Sequence, residues 1–140
     1  MKSIFAQWNR VAGYLLIAGA LAWMFKLVVI VSTNGRIINT GPAAVLMTAG
    51  LILLFIGSTG IGFSLARTRG MVIRAVSILL SPALLFGAFI FMGMISEPLF
   101  RDSVFWYAPE EAPIGLAVLL SLAVGLRLSR SREQMVKSRT

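Results

Sequence analysis

The chain has no cysteine and no histidine, and only 13% of its 140 residues are charged, against about 25% in an average soluble domain. Without Cys there is no disulfide, no thiol redox chemistry and no thiolate metal site. Without His the commonest general base near neutral pH and the commonest metal ligand are both missing. Acidic residues are also scarce, five in all. Glu110 and Glu111 are neighbours, so on a helix they point about 100° apart rather than facing one substrate. The serines have no obvious activating base. Enzyme chemistry is therefore not expected, and neither is a cofactor or a metal.

What the chain has instead is apolar length. Hydrophobic residues make up 58% of it, gathered into long runs, and a soluble domain of this size needs far more polar surface to cover its core. The class that fits is an all-α integral membrane protein, a compact bundle of four transmembrane helices in a single membrane domain, 1–140. The spans are expected near 11–32, 43–66, 72–95 and 110–128. The first covers about 33 Å as a helix, enough for a hydrocarbon core of about 30 Å. Asn34-Gly35 reads as a turn, and Gly41-Pro42 punctuates the start of the second span. "RTRG" at 67–70 ends that span, and the polar stretch 96–109 forms an outer loop. The fourth apolar run is short. It reaches spanning length if the helix starts near Ala108, with Pro113 early in it, Glu110 and Glu111 at its positive end, and Arg127 snorkelling. The first run resembles a signal sequence in its flanks, but its apolar stretch runs on too long for cleavage, so an uncleaved anchor is the better reading.

The net charge of +8 would suggest nucleic acid in a soluble protein. Here the positions of the charges give another cause. Lys2 and Arg10 precede the first span, Arg67, Arg69 and Arg74 flank the second loop, and a basic tail, 129–140, carries Arg130, Arg132, Lys137 and Arg139. The third loop holds Glu97, Asp102, Glu110 and Glu111 against Arg101. The positive-inside rule places both termini and the middle loop in the cytoplasm of a multi-pass cell-membrane protein. Membrane lipids are the expected surroundings, and nucleic acid is not an expected partner.

One charge breaks the pattern. Lys26 lies inside "WMFKLVVIV", 23–31, about 10 Å of helix from the outer end of its span. It can snorkel to the interface or pair structurally, meet a partner protein, or line a path for an ion or ligand. A helix running over 4–28 instead would bring it nearer water. No acidic residue falls within the apolar runs themselves, so a partner in this chain would be one of the acids at the outer edge, Glu97, Asp102, Glu110 or Glu111, or a backbone carbonyl. Ala18, Ala22 and Lys26 follow one another at intervals of four, which suggests a helix contact with Lys26 pointing between helices.

Small residues mark further packing faces: Ser58 and Gly62 in the second span, and Ala117, Ser121 and Gly125 in the fourth. The third span carries Ala83 and Gly87, and Pro82 is expected to bend it. "GSTGIG" at 57–62 lacks the Lys-Ser or Lys-Thr of a phosphate loop and follows an apolar helix rather than a strand. The function this pattern suits best is a structural or accessory subunit of a membrane complex, with an integral membrane partner or further copies of itself. The alternative is an oligomeric transporter or channel for a small solute or ion, with Lys26 near the permeation path.

Overall fold

The computed structural model describes residues 2–130, and these form four α-helices: α1, Lys2–Ser32; α2, Gly41–Leu65; α3, Met71–Phe100; and α4, Ala108–Arg130. Met1 and the expected basic tail from 131 onward, with Arg132, Lys137 and Arg139, lie outside the described residues. All four helices are long and apolar enough to cross a membrane. They pack in a ring, α1 on α2, α2 on α3, α3 on α4 and α4 back on α1, with only a slight contact between α2 and α4. The chain is thus a compact all-α bundle of the multi-pass membrane class.

Local chemistry explains where the helices start and stop. α1 begins well before residue 11, since no Gly or Pro interrupts the chain ahead of Gly13. It ends in a left-handed cap. Asn34 has φ 52° and Gly35 φ 76°, the Gly35 N–H donates to the Ile30 carbonyl at 2.9 Å, and the Asn34 N–H donates to the Val31 carbonyl at 3.1 Å. This pairing satisfies two of the orphan carbonyls at a helix end. Thr40 is extended, Gly41 takes φ 56°, and Pro42 occupies the first turn of α2, where its missing N–H costs nothing. α3 runs to Phe100 through residues expected in the outer loop, so that loop contracts to 101–107. An i,i+4 pair between Glu97 and Arg101 spans its last turn at 3.8 Å.

Pro82 sits inside the continuous helix α3. Its ring removes the N–H that would have served the Ile78 carbonyl one turn earlier. The Ser81 hydroxyl takes that place: its Oγ lies 3.1 Å from the Ile78 oxygen and 2.9 Å from the Ser58 oxygen of α2. One short side chain therefore repairs the helix and shares the same proton with its neighbour.

The core is small and lies mainly between α1, α2 and α4, around Leu16, Ala20, Trp23, Leu54, Ala117, Val118 and Leu128. α3 is the least covered helix. Its buried residues are Ser81, Pro82 and Ser96, whereas Leu79 is 79% exposed and Ile90 68%. Small and polar side chains inside with large apolar ones outside is a pattern that water would penalise and a bilayer accepts.

Candidate functional site

The vertical register of α1 against α4 is set where two glycines meet. A methyl group on Gly13 would stand 2.8 Å from the Gly125 carbonyl oxygen, and one on Gly125 would stand 2.9 Å from the Gly13 oxygen. Only hydrogen fits on either side, so the backbones touch. Thirteen residues further along α1, and fourteen back along antiparallel α4, this register brings Lys26 opposite Glu111.

The Lys26 ammonium lies 2.9 Å from Glu111 Oε1 and 3.0 Å from Oε2. Lys26 is 1% exposed and Glu111 7%. The lysine does not snorkel; its head group is turned inward between helices and meets a carboxylate in the first turn of α4. The helix N-terminus there is the positive end of the backbone dipole, which favours the carboxylate. The other three candidates lie elsewhere. Glu97 faces Arg101, and Asp102 and Glu110 are exposed.

The pair has an aromatic neighbourhood. Trp23, one turn deeper on α1, donates its indole N–H to the Met47 carbonyl of α2 at 3.1 Å. Its ring lies against Gly50, where any side chain would overlap it, and its centroid is 5.5 Å from that of Phe89 on α3. Above the pair, one turn before Glu111, Tyr107 is buried. Its ring edge packs on Gly35, where a Cβ would stand 2.7 Å away. Lys26 and Trp23 thus fasten α1 to α4 and α2 at one level, while Phe89 brings in α3.

The remaining expected residues fall as follows. Ser58, Gly62, Ala117, Ser121 and Gly125 are buried on helix contacts. Gly62 allows the closest approach of α2 to α3, since a methyl there would overlap the Ser77 carbonyl. Ser121 Oγ is buried with no hydrogen-bond partner among the described residues. Ala22 is half-buried and Ala18 is exposed, so the expected face through Ala18, Ala22 and Lys26 is not the packing face. A step of four residues turns the helix 40° past a full circle, and two such steps carry Ala18 about 80° from Lys26. The buried line on α1 is Ala12, Leu16, Ala20, Trp23, Lys26 and Ile30, whose mixed steps of four and three follow the helical period of 3.6. Gly50, seven positions before Gly57, is a small-residue contact of the expected kind, whereas Trp23 and Gly13 are packing residues that small-residue spacing does not single out.

Chemically the site is a neutralised clamp. Both carboxylate oxygens face the ammonium, and no cluster of three His, Cys, Asp or Glu side chains able to hold a metal ion occurs among the described residues. No family model, curated protein or solved structure matches this chain.

Proposed function

We propose that this protein is a structural or accessory subunit of a membrane assembly, held in the cell membrane with both termini in the cytoplasm. The observation that carries the reading is the use of Lys26: among the described residues it is the one buried cation in an apolar helix, and it is spent on Glu111 of the same chain. A transport role would put that lysine on a wetted path, where charged side chains in membranes ordinarily do their work. At 1% exposure it serves the bundle. What the molecule then offers to other molecules is surface, chiefly α3. Ala83 and Gly87 are exposed there, and a Cβ on Gly87 would have no neighbour within 4 Å, unlike the internal glycines of α1, α2 and α4. Charge asymmetry supports the orientation: Arg10, Arg67, Arg69, Arg74, Arg127 and Arg130 gather at one end of the bundle, and Glu97, Asp102, Glu110 and Glu111 at the other.

Purification from native membranes in a mild detergent, followed by mass measurement of the intact complex, tests the proposal. A second polypeptide in fixed ratio is expected, and it should be lost on Gly87→Leu while the fold is kept. A monomer, or a homo-oligomer free of other proteins, overturns the accessory reading.

A further inference from the structure

A groove of about 300 Å³ opens on the bundle surface between α2 and α3. Its walls are Ile61 and Leu65 on one side and Leu80, Leu84 and Leu85 on the other. Along α3 it extends from Ser77 to Leu85, about 12 Å of helix. It is mainly apolar and partly open to the surroundings, which suits a hydrocarbon chain better than a compact polar solute.

The groove ends at the most basic loop of the molecule. Arg67 follows the lining residue Leu65 by two positions, and Arg74 precedes the lining residue Ser77 by three. Arg67 and Arg69 are exposed. Arg74 is held in part by its Nη2, which donates to the Arg67 carbonyl at 3.0 Å, and by its guanidinium, which lies 5.5 Å from the centre of the Phe63 ring. That contact pins the loop against the helix ends. Among the described residues every carboxylate side chain stands at the opposite end of the bundle, away from Arg67 and Arg69.

We propose that this groove and loop form a binding site for an anionic phospholipid, with one acyl chain lying between α2 and α3 and the phosphate head group held by Arg67 and Arg69. Charge complementarity selects the occupant. A zwitterionic lipid would fill the groove equally well but gain little from the loop, whereas basic residues at the membrane surface each favour an anionic head group.

The full chain, reconstituted in nanodiscs of equal parts phosphatidylglycerol and phosphatidylcholine, is released into the gas phase and its retained lipids are weighed. Phosphatidylglycerol should be enriched over phosphatidylcholine, and the enrichment should fall roughly fivefold for each arginine removed in Arg67→Gln and Arg69→Gln. Both substitutions are on an exposed loop, so the fold is expected to survive them. Leu84→Trp, which fills the groove, should reduce retention of both lipids. An excess of glycerol phosphate should leave the bound lipid in place. Equal retention of the two lipids, undiminished enrichment in the double arginine variant, displacement by glycerol phosphate, or a second copy of the chain in place of lipid would each overturn the proposal.

Discussion

Lys26 and Glu111 are 85 positions apart in the chain, yet the ammonium of one lies 2.9 and 3.0 Å from the two carboxylate oxygens of the other. The contact closes the ring of helices by joining the first to the last. Its value for stability is asymmetric. Removing both charges leaves an apolar contact, whereas removing one leaves a buried charge without a counter-charge.

Lys26→Met alone, or Glu111→Leu alone, should therefore destabilise the bundle by about 3–5 kcal/mol. The double variant should recover most of the loss. Unfolding in mixed micelles, following helix content against added denaturing detergent, reads all three. Additive single losses in the double variant would show that the two side chains act independently.

The choice of Glu111 was not legible in the sequence, although it was among the four carboxylates within reach. Glu110 is its neighbour and is exposed, so the choice depends on the rotational phase of α4. That phase comes from the Gly13–Gly125 contact, a tertiary relation between small residues common in any membrane helix. The four apolar spans and the end-to-end charge asymmetry were legible, because length and composition carry them directly. Helix ends were less so. α3 carries on past residue 95 to Phe100 through Pro98, with the i,i+4 pair of Glu97 and Arg101 across its last turn, where polarity alone would have ended it.

Gly62 and Gly87 allow the same substitution in opposite settings. Changing either glycine to alanine improves helix propensity by about 1 kcal/mol. At Gly87, with nothing within 4 Å of a new methyl, that gain should appear as a small stabilisation. At Gly62 the methyl would overlap the Ser77 carbonyl, which is backbone and cannot swing aside, so a loss of about 1–3 kcal/mol is expected. Thermal unfolding of the two variants in one detergent measures the difference, and equal effects would mean that α2 and α3 do not meet at this point.

Ser81 is the second test of the α2–α3 seam. Ser81→Ala removes the proton shared between the Ile78 and Ser58 carbonyls and should cost about 1 kcal/mol. Pairing it with Pro82→Ala restores the backbone N–H that Ile78 lost. Ser81→Ala should then be milder in the Pro82→Ala background than in the parent, because one of its two acceptors has regained a donor. The coupling in that double-mutant cycle is the measured quantity, and a value of zero would remove Ser81 from the repair of the helix.

Gly35 packs against Tyr107, one helical turn before Glu111. Gly35 adopts φ 76° and faces the Tyr107 ring at a distance that leaves no room for a Cβ. Gly35→Ala combines left-handed backbone strain of about 1–2 kcal/mol with displacement of that ring. Its effect on stability should shrink when Lys26 and Glu111 have already been replaced by Met and Leu, since an apolar contact needs less protection from water than an ion pair. Equal losses in both backgrounds would show that the Gly35–Tyr107 contact does not shield the pair.

Orientation is open to a direct test because the chain has no cysteine of its own. A single thiol can be placed on either side of the bundle without background. Thr68→Cys lies in the α2–α3 loop among Arg67 and Arg69, and Ser103→Cys lies in the α3–α4 loop beside Asp102. Loops rich in Lys and Arg stay on the cytoplasmic side, and loops poor in them cross more readily. A membrane-impermeant maleimide added to intact cells should label Ser103→Cys and leave Thr68→Cys untouched until the cells are opened. The reverse pattern would invert the protein. It would also place the arginine-edged groove between α2 and α3 in the outer leaflet, so the same two thiols decide which lipid pool that groove can sample.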